Sequence, residues 1–278
     1  MPLKALYLLS DLLYILIFYL AGYRKKVVYN NLRNSFPEKT EKEIRKIRKR
    51  FFHHFADLVI EIVKVSSISE KELQKRMVIK NPEEINRFFE QRRSVVLITM
   101  HYNNWEWANI SPSSLKHRVL AVYKPLHNQH FDKYFQNIRT RFNAEAIPMA
   151  HVLRRLVKAN REKELVASGL VVDQTPPAFH KLWTMFLNQE TLFYPGPAAI
   201  SRKFNYPVAF VKIDKIKRGY YELTFEALFE NPQNHSEEEI MRACVRKMEE
   251  TIHAKPEYYL WSHRRWKHKR PSDVPLAF

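Results

Sequence analysis

The sequence predicts an α/β fold, a central mostly parallel or mixed sheet flanked by helices, preceded by an apolar N-terminal helix. Three observations carry that expectation. Short apolar runs without helical period, such as 95–99 and 119–123, alternate with helical patterns from about residue 77 to 225. Two runs stop at polar clusters, His101 to Glu106 and Asp173 to Pro177, as buried strands do where their loops carry function. Residues 3–22, LKALYLLSDLLYILIFYLAG, come close to the length that crosses a bilayer.

That first segment is interrupted by Lys4, Ser10 and Asp11, while Tyr7, Tyr14, Phe18, Tyr19 and Tyr23 are residues that favour an interface. It lacks a basic n-region and an A-x-A-like cleavage site, so it does not read as a removed signal peptide. Asp11 is expensive in a fully spanning helix, which leaves a tilted, partly embedded or bundle-packed helix beside a crossing one. A helix buried in a soluble core would share this composition. Between Tyr23 and Arg50 stand eleven Lys and Arg against three Glu, a basic run that marks the cytoplasmic side of a membrane and attracts anionic headgroups. The chain therefore divides into a membrane-associated helix at 1–22, a basic helical segment at 23–76 and an α/β domain at 77–278.

Thr40 and Glu43 form a capping box that opens a helix to about Val65, with Ile44, Ile47, Phe51, Phe52 and Phe55 on one side. Ser69 with Glu72 starts a short helix, 77–80 reads as a strand and 82–91 as a helix. After the strand at 95–99 a helix is expected over 105–115, weakened by Pro112, then a strand at 119–123, a helix at 129–142 and a strand at 145–147. A helix at 150–162, a strand at 164–172, a helix at 195–204 and strands at 207–213 and 220–225, turned by Gly219, follow. Ser236 and Glu239 are a second capping box, opening a helix through Ile252.

Composition bounds the chemistry. The 47 Lys and Arg against 29 Asp and Glu give a net charge of +18, which favours acidic partners: nucleic acid, anionic lipid or an acidic carrier protein. Cys244 is the only cysteine, which excludes an intramolecular disulfide and any cysteine-based zinc or iron–sulfur site. Four glycines, at 22, 169, 196 and 219, leave no G-x-G-x-x-G or Walker loop.

The candidate chemistry centres on His101. Positions five apart diverge by about 140° on a helix, so His101 belongs in the loop and Glu106 in the first turn after it, its carboxylate folded back to orient a general base. A histidine at a strand end also serves as an ordinary structural residue. Asp173 has a turn reading, its side chain bonding backbone two residues on, but the apolar strand before it aims its loop at the same edge as His101.

Together the motifs HYNNWE at 101–106, VYKPL at 122–126, VVDQTPP at 171–177 and PEYYLWSHRRWK at 256–267, with YRKKVVYNNLRNSFPE at 23–38, resemble the late lauroyl/myristoyl acyltransferases of bacterial lipid A biosynthesis. The similarity covers nearly the whole chain in order. It implies a glycerol-3-phosphate-acyltransferase-like α/β domain on the cytoplasmic face of the inner membrane, moving a fatty acyl chain from acyl carrier protein to a hydroxyl of a lipid A precursor, with no metal or other cofactor. Carried over, His101 is the base and Glu106 its orienting carboxylate, Asp173 and Gln174 match the family's Asp-Gln loop, and Arg154 its active-site arginine, with Arg155 a competitor because the interval to Asp173 holds extra residues. Arg154 or backbone N–H groups are the oxyanion candidates. Asn104 and Lys124 are candidates for substrate phosphate, or equally for loop capping and surface charge. The basic segment 261–270 with its two tryptophans suits headgroups and would also suit nucleic acid. The competing readings are the same chemistry on a lysophospholipid, aminolipid or other glycolipid and, from another class, a basic nucleic-acid-binding protein; the resemblance favours membrane phospholipids, carrier protein and lipid acceptor as partners, and no nucleic acid.

Overall fold

The computed structural model describes residues 3–278, at 109–111 the backbone alone. In chain order the elements are α1 (Leu3–Ile15), continued by a π-helical turn at Leu16–Leu20, α2 (Lys25–Ser35), α3 (Glu41–Val65), α4 (Glu70–Arg76), β1 (Met77–Ile79), α5 (Glu83–Glu90), β2 (Val95–Thr99), β3 (Arg118–Tyr123), α6 (Gln129–Thr140), β4 (Glu145–Pro148), α7 (Val152–Arg161), β5 (Val166–Val171), β6 (Leu182–Phe186), β7 (Gln189–Phe193), α8 (Gly196–Phe204), β8 (Val208–Lys217), β9 (Tyr220–Phe229) and α9 (Glu237–Ala254). The α/β class is as expected. Seven strands form one sheet in the order β1-β9-β8-β2-β5-β3-β4, in which β8 and β9 alone are antiparallel.

Alternation along β2 shows how the layers form. Val95 and Leu97 are buried with Trp107, Ile138 and Phe88 on one face, Val96 and Ile98 with Leu156, Met241 and Phe52 on the other. Each fully buried aliphatic side chain contributes roughly 1.5–3 kcal/mol, so this central strand is fixed by both helical layers. The register pairs Thr99 with Val171 and Tyr123 with Pro148, so β2, β5, β3 and β4 all end at one edge, where their loops meet.

Both capping boxes close as expected, Thr40 with Glu43 and Ser236 with Glu239. The helix expected over 105–115 is instead a 3-10 segment at Trp107–Ser113, consistent with Pro112 inside it withholding a donor. The β6–β7 hairpin was not anticipated. Leu187 and Asn188 at its turn both adopt positive φ, 50° and 61°, as a type I′ turn requires, and only the asparagine favours that conformation. Tertiary contact helps to hold the other residue, since the Leu187 N–H donates to Glu249 Oε1 at 2.7 Å.

The N-terminal helix lies along α3. The Tyr7 hydroxyl donates to Glu61 (2.7 Å), the Ser10 hydroxyl to Asp57 (2.8 Å), and Asp11 pairs with Arg218 (2.6 Å) at the β8–β9 turn and with His53 (3.3 Å). Asp11, the residue least compatible with lipid, is therefore on the protein side. The opposite side is apolar and exposed: Leu8 is 68% exposed, Leu12 63%, Leu16 50% and Leu20 74%, one stripe at helical spacing. Leu3–Leu20 is long and apolar enough to cross a membrane by length and composition.

Candidate active site

β2 delivers His101 at the shared strand edge, and β5, its parallel neighbour, delivers Asp173. Asp173 Oδ1 lies 2.8 Å from His101 Nδ1 and also accepts the His101 backbone N–H at 3.1 Å. The carboxylate is 2% exposed. Burial alone would raise its pKa, but the facing imidazole, its backbone N–H and the charge of Arg265 outweigh that and hold it below the ordinary carboxylate value. On the far side of the ring Gln174 Nε2 stands 3.0 Å from His101 Nε2, and Trp105 meets the imidazole edge-on at 4.9 Å.

The carboxylate in contact with His101 is thus Asp173, while Glu106, expected at the ring, is engaged elsewhere. After His101 the chain turns sharply. Tyr102 bridges to Tyr259, Asn103 takes a left-handed φ of 52°, and its side-chain amide donates to the Ile213 carbonyl at 2.7 Å. That turn brings Trp105 against the imidazole and points Glu106 to α6, where Arg139 grips it at 2.7 and 3.3 Å. An ion pair 4% exposed on the Glu106 side ties the loop to a neighbouring helix.

The other expected residues separate into two groups. Gln174 is at the imidazole. Lys124, directly after β3, and Arg154, in the first turn of α7, are exposed at the same sheet edge, free of the carboxylates that engage Arg155 (Glu145 and Glu164, both 2.8 Å). Asn104 is not available to a substrate: it is 1% exposed, its amide donates to Glu61 at 2.7 Å and its oxygen accepts the Trp107 N–H at 3.2 Å. The loop-capping reading of Asn104 is the one its contacts match.

Sequence reasoning underweighted the segment after α9. The Leu260 N–H donates to the His101 carbonyl at 3.0 Å, the Asn103 N–H to the Tyr258 carbonyl at 3.0 Å, and His263 Nε2 lies 3.3 Å from the Thr175 hydroxyl. Buried Tyr259 and Arg265 lie close enough to Asp173 to act on its charge. Burial lowers His263 to about 4 and Arg265 to about 10. This segment clamps both strand-end loops, at His101 and at Thr175; its dense aromatic and basic composition was the available signal. Among the described residues no cluster of three or more His, Cys, Asp or Glu side chains is placed to hold a metal ion.

An imidazole with one nitrogen on a buried carboxylate and the other facing a loop edge is equipped to take a proton from a hydroxyl. A family model described as bacterial lipid A biosynthesis acyltransferase matches residues 1–268. The chain is 24% identical over 256 residues to a lipid A biosynthesis lauroyltransferase of Escherichia coli (strain K12), covering 92% of this chain and 82% of that one. Among solved structures it is similar to a 1-acyl-sn-glycerophosphate (LPA) acyltransferase from Thermotoga maritima, at a TM-score of 0.40 and 16% identity, covering 92% of this chain and 97% of that one.

Proposed function

The chain belongs to the bacterial lipid A biosynthesis acyltransferase family and is an acyltransferase, and from that premise we propose that it moves a fatty acyl chain from an acyl carrier protein thioester to a hydroxyl of a lipid A precursor. The observation that carries the mechanism is the 2.8 Å contact between His101 Nδ1 and Asp173. With Nδ1–H donated to the carboxylate, Nε2 presents a lone pair; this tautomer is inferred from the hydrogen-bond partners and agrees with a Gln174 amide N–H pointing at Nε2. The acceptor hydroxyl takes the place of the Gln174 amide at Nε2. As its oxygen bonds to the thioester carbon, its proton passes to Nε2, and Asp173 stabilises the imidazolium. The tetrahedral intermediate collapses by breaking the C–S bond, and the thiolate leaves with the proton returned by His101. Oxyanion charge falls to Arg154 or Gln174, and Lys124 and Arg154 supply positive charge for an acceptor phosphate. Glu106 acts at one remove, through its pair with Arg139.

The polar side of α1 is occupied by α3 and Arg218, while its leucine stripe is uncovered. This supports a helix that lies in the interface of the cytoplasmic leaflet of the inner membrane, with the basic segment that follows at the headgroups. The net charge of +18 suits an acidic carrier protein as donor.

The test is to incubate the purified full-length protein with carrier-protein thioesters and a panel of acceptors, reading products by mass spectrometry. One added acyl group on the lipid A precursor is expected; transfer to lysophospholipid but not to that precursor overturns the acceptor assignment. Fractionation of cells addresses the nucleic-acid alternative: detergent is expected to be needed to extract the protein, and release by high salt alone would favour that alternative.

A further inference from the structure

Beside the loop that follows His101, α3 carries a buried carboxylate that acyl transfer as described does not use. Three hydroxyl or amide donors converge on Glu61, 0% exposed: Tyr7 of α1 on Oε1 and Asn104 and Tyr221 on Oε2, each at 2.7 Å. The Glu61 backbone carbonyl also accepts the Trp107 indole N–H at 3.1 Å. Asn104 in turn accepts the Trp107 backbone N–H. Two side chains of the loop after His101, one before and one after Glu106, thus hang on one residue of α3. Its donors are neutral groups, and burial raises its pKa above the ordinary value.

A buried carboxylate is a costly way to fill a core, and replacing such groups by apolar side chains is often neutral or stabilising. What it supplies here is direction: it holds Asn104 directly, and Asn104 in turn accepts the Trp107 backbone N–H, while Tyr7 and Tyr221 fix the carboxylate itself. We propose that Glu61 is a positioning residue for acyl transfer, holding the loop that keeps His101 against Asp173 and, through Tyr7, fastening that loop to the exposed apolar helix α1. The inference rests on His101 as the base. A displacement of about 1 Å at a reacting group costs up to about 100-fold in rate, so a loosened loop should be read in turnover more than in binding.

The experiment compares full-length wild type with Glu61→Leu and Glu61→Gln in the carrier-protein assay. Glu61→Leu is expected to lower kcat at least about tenfold, to leave KM for the thioester within about twofold and to move the acid limb of the kcat/KM profile. Glu61→Gln keeps an oxygen toward Asn104 and is expected to recover most of the rate, which a loss of stability alone would not produce. Wild-type kcat and pH profile in a folded Glu61→Leu protein would overturn the proposal. Should that variant not fold, Asn104→Ala, which leaves Glu61 with both tyrosines, carries the test: the same loss in kcat supports the proposal and an unchanged kcat overturns it. A fully active His101→Ala protein would instead sink the underlying reading, whatever Glu61 does.

Discussion

Replacing Asp173 by asparagine isolates the contact on which the proposed mechanism depends. The side chain keeps its size, but a single carboxylate oxygen, Oδ1, accepts from both the His101 ring and its backbone N–H, at 2.8 and 3.1 Å, and asparagine presents there either its amide oxygen or its NH2 group. With NH2 in that place the amide donates to Nδ1, which puts the ring proton on Nε2 and removes the base, and the backbone N–H loses its acceptor. With the oxygen in that place both bonds are kept but the imidazolium has no counter-charge. Loss of such a carboxylate partner in a His-based triad costs on the order of 10⁴-fold, and general-base catalysis itself is worth ~10²- to 10⁴-fold. The expected fall in kcat is therefore about 10²- to 10⁴-fold, or about 3–5 kcal/mol of transition-state stabilisation. Initial rates with a saturating carrier-protein thioester, beside a thermal melt to confirm the fold, measure it. Asp173→Asn with more than a third of wild-type kcat would refute the pairing as the source of catalysis.

Further outcomes follow from the same contacts. Glu106→Gln retains an oxygen for Arg139 and does not touch the imidazole nitrogens, so its kcat is expected within about tenfold of wild type, the effect of a loosened loop; a loss equal to that of Asp173→Asn would restore Glu106 as the orienting group. Burial lowers His54, His117 and His263, the last to about 4, so each is neutral in the folded state where the unfolded chain binds a proton. Stability is then fully present above about pH 6.5 and declines as pH falls toward 4, and His263→Gln is expected to flatten that slope in melts taken at several pH values; an unchanged slope would count against a buried neutral His263. Leu12→Lys with Leu16→Lys, on the exposed side of α1, is expected to shift the protein from anionic vesicles to solution in a flotation assay without lowering its melting temperature; unaltered flotation would argue against this stripe as the membrane contact.

Periodicity exposed the layered α/β architecture because β2, β3 and β5 are buried on both faces and read as mostly apolar runs without alternation. The caps at Thr40 and Ser236 were legible because a capping box is a local hydrogen-bond problem with a local solution. His101 and Asp173 were legible as strand-end residues, but their partnership was not. It depends on β2 and β5 being neighbours in register, 72 residues apart in sequence, whereas the five-residue spacing to Glu106 offered a nearer carboxylate. What turned Glu106 away was Asn103 at positive φ and the clamp of Tyr258, Tyr259 and Leu260, tertiary contacts that no short window contains. The same holds for Asp11, which read as a defect in a lipid-facing helix until Arg218, 207 residues on, supplied its partner.

The central claim, acyl transfer to a lipid hydroxyl with His101 as base, is tested most directly by one measurement. Wild type and His101→Ala, both purified full length and matched in thermal melt, are given carrier-protein thioester and lipid A precursor, and product is followed by mass spectrometry. The account predicts one added acyl mass with wild type and a rate at least about 10²-fold lower with His101→Ala; an alanine variant that acylates the precursor at the wild-type rate would contradict it.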